Sequence, residues 1–200
     1  MENFTKFFLE ECQVILKYLI ATEEFNEYIT EKIVDILVET RNNKGRLFII
    51  GSGGGAGHAS HAVCDFRKLC NIEAYAPYDN ISELTARTND EGWETTIVNW
   101  LKTSNLVKKD CVFVISVGGG DKGKNISMNI VNALEYASEI GSSIVGIVGR
   151  GGYTKKLGDA VLMIPDLSSN LVTPLTEGFQ AIIWHLLVSH PKLKINETKW

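Results

Sequence analysis

From residue 46 onward the chain alternates short apolar runs with longer amphipathic stretches, and this alternation constrains its fold more than any other feature. The runs have the length of buried strands: 46–50, 72–77, 111–116, 143–149 and 160–165. Helical spacing of apolar residues marks the stretches 56–69, 81–90, 92–105, 126–140 and 173–190. Apolar strands separated by helices indicate a parallel sheet covered on both faces. We therefore predict an α/β fold, a three-layer α-β-α sandwich with a five-stranded parallel sheet.

Two helices are predicted before the first strand. Apolar side chains recur every three or four residues over 4–19 and again over 25–37, and residues 42–45 end the second helix. Since no strand precedes these helices, their apolar faces must pack on the later core or on another subunit. We predict one domain over 1–200, with an N-terminal helical hairpin (1–45) and an α/β core (46–190).

Charge and composition exclude several classes of protein. The net charge of −4 comes without a basic cluster, which argues against nucleic acid as a partner because phosphate neutralisation needs grouped Lys and Arg. No apolar run approaches the ~20 residues that cross a bilayer. The N-terminus has acids where a secretion signal carries lysines, so we expect a cytoplasmic protein with no membrane partner. The cysteines form no CxxC pair and are expected as buried thiols: Cys12, Cys64, Cys70 and Cys111.

Two of the predicted strands end in turns with three consecutive glycines, Gly53–Gly55 and Gly118–Gly120. Glycine lets several backbone N–H groups converge on an anion, and the N-terminus of the following helix adds its positive dipole end. The alternative is a tight strand-to-helix turn without a ligand. The first turn meets the dinucleotide spacing GxGxxG only with Ala56 in last place, and the second strand lacks a terminal acid. A phosphorylated small molecule therefore fits better than NAD.

A second group of polar residues has the spacing of a metal or proton-relay site. His61 and Asp65 are four residues apart, which places both on one face of the helix after the first glycine turn. His185 lies in the last helix, with Glu177 eight residues earlier. That separation leaves Glu177 about 80° away from His185 around the helix, so both meet one metal only if Glu177 sits on a looser first turn or serves a neighbouring subunit. A histidine in so apolar a helix can also be a core residue.

Taken together, these motifs resemble the sugar isomerase (SIS) domain and, within it, the phosphoheptose isomerases. The resemblance includes the His61–Asp65 helix, Asn89-Asp90 before Gly92, the Ser116–Gly120 loop and the closing helix with His185. It implies interconversion of sedoheptulose 7-phosphate and D-glycero-D-manno-heptose 7-phosphate, for bacterial surface heptose in lipopolysaccharide or capsule. It also implies homotetramers with active sites at subunit interfaces, often holding zinc.

The resemblance assigns roles to particular positions. The metal ligands would be His61, Asp65, Glu177 and His185, with Asp65 and His185 as catalytic residues. The substrate-binding residues would be Ser52, Gly53, Gly54, Gly55, Asn89, Asp90, Ser116, Gly118, Gly119, Gly120 and Lys122. The family usually has Glu at position 65, Gln at position 177 and Ser at position 55. This chain therefore lacks the serine hydroxyl at position 55. Donors that would replace it are backbone amides, Ser52, Lys122 and Lys124.

An aldose–ketose isomerase moves a proton between C1 and C2 through an enediol and stabilises the developing oxyanion with a cation. We expect Asp65 as the base and His185 as the partner acid, although metal binding and proton transfer are alternative roles for one residue. The competing interpretation is a non-catalytic SIS module that binds a sugar phosphate as a sensor or scaffold. Such a module would bind the sugar phosphate without converting it.

Overall fold

The computed structural model describes residues 3–167 and 170–198, and for residues 23–26 it describes the backbone alone. In this part of the chain a five-stranded sheet has helices packed on both faces. The predicted three-layer α-β-α sandwich is confirmed.

The strands run parallel in the order β2-β1-β3-β4-β5. Three of them are shorter than predicted: β4 by one residue, and β2 and β5 by more, since Pro77 and Pro165 have no N–H group to extend a ladder. The central strand, β3, is buried along its whole length. The bounds are β1 Arg46–Gly51, β2 Glu73–Tyr75, β3 Cys111–Ser116, β4 Ser143–Val148 and β5 Ala160–Met163.

The helices agree with the prediction in number and place, with one addition. The addition is α7, a short helix that begins at Gly152, where the sequence predicts no element. Asn89 and Asp90 lie in the last turn of α4, inside the helix predicted over 81–90. The bounds are α1 Phe4–Ala21, α2 Glu23–Asn42, α3 Gly54–Cys70, α4 Ile81–Glu91, α5 Thr96–Thr103, α6 Met128–Ile140, α7 Gly152–Leu157 and α8 Val172–Ser189.

Alternate residues of each inner strand face opposite helical layers. Leu47 and Ile49 of β1 pack with α2, α3 and α8, whereas Phe48 and Ile50 pack with α5 and α6. This period of two is what a sheet covered on both faces requires. Within residues 3–167 and 170–198, none of the helices combines the length and the hydropathy needed to cross a bilayer.

The first helix buries little of its apolar face. Ile15 is buried and Phe8, Cys12 and Leu19 pack partly against the core, but Phe4 is 65% exposed. Other large apolar side chains of α1 are exposed as well: Phe7, Leu9, Val14, Leu16, Tyr18 and Ile20. Packing on the later core therefore accounts for only part of the face that the sequence predicts to be covered.

Candidate active site

The strand order fixes where a ligand can bind. After β1 the chain adds β2 on one side and then β3 on the other, so the winding direction reverses between β1 and β3. In open parallel sheets, ligands bind beyond the carboxyl ends of the strands at this switch point. β1 ends at Gly51, directly before the first glycine turn, and β3 ends at Ser116, directly before the second.

Three of the predicted polar residues converge between α3, the helix that follows β1, and α8. His61 and Asp65 are on α3 and His185 is on α8, and their potential ligand atoms all lie within 4.8 Å of one another. Asp65 Oδ2 is 4.0 Å from His61 Nε2 and 3.9 Å from His185 Nε2. The Asp65 side chain is largely buried, whereas both imidazoles are about half exposed. The group is therefore open to a ligand from the side of the histidines.

The surroundings of His185 and His61 hold both rings in place. His185 Nδ1 donates to the carbonyl of Ala181 at 2.7 Å, which leaves Nε2 free of a proton in the neutral ring and facing Asp65. Trp184 is fully buried and contacts both imidazoles, stacking on His185 at 3.5 Å between ring centroids and meeting His61 edge-on at 4.8 Å. The indole therefore serves as a common support for both rings.

The fourth predicted ligand, Glu177, lies elsewhere in the site. Its carboxylate packs over Gly54 at the start of α3 so closely that a Cβ at position 54 would collide with it. His58, which the sequence analysis did not select, lies near Glu177. Burial lowers the pKa of His58, and the backbone and the charge of Glu177 oppose that effect. Glu177 and His58 thus form a second polar pair, between the His–Asp–His group and the first glycine turn.

The first glycine turn contains a residue with positive φ at the start of α3. Gly53 has φ +58° as the N-cap of α3, which glycine adopts without strain. The hydroxyl of Ser52 accepts a hydrogen bond from Asn129 Nδ2 at 3.2 Å, and Asn129 is a buried residue in the first turn of α6. The N-termini of α3 and α6 are therefore adjacent, and both dipoles favour a bound anion.

In the second glycine turn, packing accounts for part of the glycine content. The carbonyls of Gly119 and Gly120 accept from the backbone N–H groups of Thr154 and Tyr153 in α7. Ser116 Oγ accepts from the Gly119 amide at 3.1 Å. A side chain at Gly119 would collide with the backbone of Gly151. These contacts explain the need for glycine even if no ligand binds here. An anion-binding role for Gly118–Gly120 therefore stays a prediction.

The remaining predicted substrate residues are found on the surface. Lys122 pairs with Glu135 at 2.6 Å, which already balances its charge. Asn89 and Asp90 are exposed and bond to each other at 2.7 Å. Ser127 is the N-cap residue of α6, with φ +52° and no side-chain capping hydrogen bond.

Comparison of the fold first defines the class of protein. The chain superposes on solved phosphoheptose isomerases from Neisseria gonorrhoeae and Francisella tularensis, each with a TM-score of 0.77 at 19% identity over 94% of this chain and 97% of the other. At that identity the likeness shows the fold alone. The protein therefore has the α/β fold of these phosphoheptose isomerases.

Comparison of the sequence then gives the family. The phosphoheptose isomerase of Helicobacter pylori strain Shi470 is 30% identical over 77% of this chain and 78% of its own length, and that of strain P12 is 28% identical over 91% and 90%. The lincomycin biosynthesis protein LmbN of Streptomyces lincolnensis is 32% identical over 78% of this chain, which spans 59% of LmbN. No family model matches. The chain belongs to the phosphoheptose isomerase family, and the predicted family and isomerase class are confirmed.

Proposed function

We propose that this protein interconverts sedoheptulose 7-phosphate and D-glycero-D-manno-heptose 7-phosphate. The observation that carries the proposal is the convergence of His61, Asp65 and His185, two of which lie on the helix that begins at the first glycine turn. Isomerisation of a sugar phosphate needs a proton-transfer group, a cation site and a site for the phosphate. The relatives named phosphoheptose isomerase support the same reaction.

We propose a divalent metal, most simply zinc, as the cofactor. Two imidazole nitrogens and one carboxylate oxygen are a donor set that zinc accepts, leaving a position for substrate. The bond from His185 Nδ1 to Ala181 supports this fit because it directs the Nε2 lone pair towards the group. When bound, the metal would polarise the substrate carbonyl. Glu177 is the weaker candidate ligand, since its carboxylate lies over Gly54.

We assign the proton transfers to Asp65 and His185. Asp65 removes a proton from C1 of the ketose while the C2 carbonyl oxygen gains one, which gives the enediol. The C1 hydroxyl then loses its proton and C2 takes one up, which gives the aldose. Asp65 has two oxygens, so it can act as a base and a ligand at once. His185 has only Nε2 available, because Nδ1 is bonded to Ala181, and it is therefore either the acid or a ligand at any one moment.

The sugar phosphate is placed with its phosphate at the first glycine turn. The Ser52 hydroxyl and the N-termini of α3 and α6 would supply donors and positive potential without a basic side chain. The Gly51 and Gly55 amides are already bonded within the protein. Ser116 and Gly118–Gly120 border the same edge of the sheet. Asn89, Asp90 and Lys122 remain candidates for contacts with the sugar hydroxyls.

We further propose that the protein acts as a homotetramer in the cytoplasm, supplying bacterial surface heptose. The support for an oligomer is the exposed apolar face of α1 together with Ile182 and Leu186 of α8. Ile182 is three residues before His185 and therefore shares a helix face with it, and Leu186 is four residues after Ile182. An interface here would lie next to the candidate active site.

The substitution Asp65→Asn tests the reaction. It removes the base and keeps the shape of the side chain, so we expect turnover of sedoheptulose 7-phosphate to fall by about 10³-fold with unchanged circular dichroism and subunit association. Asp35→Asn, at an exposed position on α2, is the matched control and should keep wild-type activity. Unchanged conversion by Asp65→Asn would remove Asp65 from the mechanism. A wild-type chain that binds the sugar phosphate without converting it would support the sensor function instead.

A further inference from the structure

The carboxyl end of β1 has a strand partner on one side only. On the β3 side the pairing continues to Gly51, opposite Ile115. On the β2 side it stops at Phe48, opposite Tyr75, because β2 ends there. The last residues of β1 lead directly into the first glycine turn and are buried. Buried backbone groups need hydrogen-bond partners, so another group must replace the missing strand.

Tyr78 supplies that partner with its side chain. The Gly51 N–H donates to the Tyr78 hydroxyl at 3.0 Å, and the hydroxyl donates to the carbonyl of Gly51. One phenol thus satisfies both backbone groups of the last strand residue. The ring packs against the hydrophobic residues on both faces of the sheet. Burial raises the pKa of Tyr78, so the hydroxyl keeps the proton that it donates.

The neighbouring residue makes a second attachment. Asp79 Oδ1 accepts from Ser60 Oγ at 2.6 Å, and Ser60 directly precedes His61 on α3. Tyr78 and Asp79, which we call the strap, therefore bind the end of β1 and the helix that carries His61. Gly51 is also tightly packed away from Tyr78. A Cβ at this position would collide with the carbonyl oxygen of Ile115 on β3 and with Gly55. The start of the glycine turn is held between β3 and the strap.

We propose that Tyr78 is a positioning residue for the sugar-phosphate site, which fixes the first glycine turn through its two hydrogen bonds to Gly51. This inference rests on the proposed function, because it assumes that the turn binds the phosphate. Tyr78 acts through Gly51 and does not itself meet the substrate. Its loss should therefore weaken phosphate binding more than it slows proton transfer at Asp65.

The substitution Tyr78→Phe removes the hydroxyl and keeps the ring. Tyr75→Phe is the matched control, since Tyr75 lies three residues earlier and its hydroxyl bonds only to the exposed side chain of Glu73 among the described contacts. For Tyr78→Phe we expect KM for sedoheptulose 7-phosphate to rise about tenfold or more, with kcat within about threefold of wild type. The inhibition constant of inorganic phosphate should rise by the same factor. Tyr75→Phe should change none of these values.

Different results separate this inference from the function on which it rests. If wild type converts the sugar and Tyr78→Phe matches Tyr75→Phe in KM, the positioning role is overturned and the isomerase stands. If wild type neither converts the sugar nor binds inorganic phosphate, both proposals fail. Should Tyr78→Phe not fold, hydrogen exchange of the Gly51 amide in ligand-free wild type decides. Protection as strong as that of the inner residues of β1 supports the strap, and rapid exchange overturns it.

Discussion

Trp184 is a buried side chain that supports the two imidazole rings of the candidate site. Its indole contacts the rings of both His61 and His185, so a smaller ring at this position would let both imidazoles move. For Trp184→Phe we expect zinc affinity to fall about 10- to 100-fold, the range seen when supporting residues around a metal are changed. Competition with a chromophoric chelator measures it. Trp100→Phe, against Phe48 on the other face of the sheet, should leave zinc affinity as in wild type, and an equal loss in both variants would contradict the account.

The cysteines offer a second test of individual side chains. Burial raises the pKa of Cys70 to about 11 and also raises that of Cys111, whereas Cys64 is exposed. Thiolates are the reactive form. At pH 8 we therefore expect iodoacetamide to label Cys64 in the native protein, and Cys70 and Cys111 only after unfolding. Peptide mass spectrometry reads out each site, and native labelling of Cys70 or Cys111 would show that the core is not packed as described.

The sequence reveals some site residues better than others, for a physical reason. His61 and Asp65 share a helix, and helical geometry alone places them on one face. The other contacts depend on how α8 crosses α3. That crossing brings His185 next to the pair, puts Glu177 over Gly54 and lets Trp184 support the rings. Residue spacing along the chain does not determine that crossing. The sequence could thus suggest the His–Asp–His group but not the second polar pair.

At the level of single elements, the amino end of β1 depends on one buried ion pair. Asp110 is fully buried and accepts from the backbone and guanidinium of Arg46 and from the Val107 amide. Removing the carboxylate leaves the Arg46 and Val107 N–H groups without their acceptor and the guanidinium without its counter-charge. We expect Asp110→Ala to lower the free energy of unfolding by about 3–5 kcal/mol, measured by urea denaturation. Glu10→Ala, which breaks the exposed pair with Lys6, should cost less than about 1 kcal/mol, and similar losses would refute the prediction.

The prediction of elements succeeded where apolar periodicity is long and failed where it is short. The strands and the longer helices stand at their predicted places, because each buries a regular face in one of the two cores. The six-residue α7 has too few residues to show a helical period, and its Gly151-Gly152 start is typical of a loop. Helix α4 extends only one residue beyond the predicted 81–90 because Gly92, whose φ is +87°, ends it.

In the whole molecule, the exposed apolar surface predicts association. A groove of about 350 Å³ between α1, α2 and α8 is lined mainly by apolar side chains, Leu16 and Ile182 among them. We expect wild type to elute as an oligomer in light scattering, and Leu16→Lys or Ile182→Lys to shift it to a smaller species, because a buried lysine without a partner is costly. Ile126→Lys, exposed on the loop before α6, is the control. A monomeric wild type would refute the proposed interface.

The central claim is that His61, Asp65 and His185 form a metal-assisted isomerase site. The most direct test measures metal content and turnover of sedoheptulose 7-phosphate on one purified sample, before chelation, after chelation and after zinc is restored. The account predicts about one zinc per chain, loss of conversion with the metal and recovery when zinc returns. Conversion that is indifferent to the metal, or a zinc-loaded protein that binds the sugar phosphate without converting it, would contradict the account.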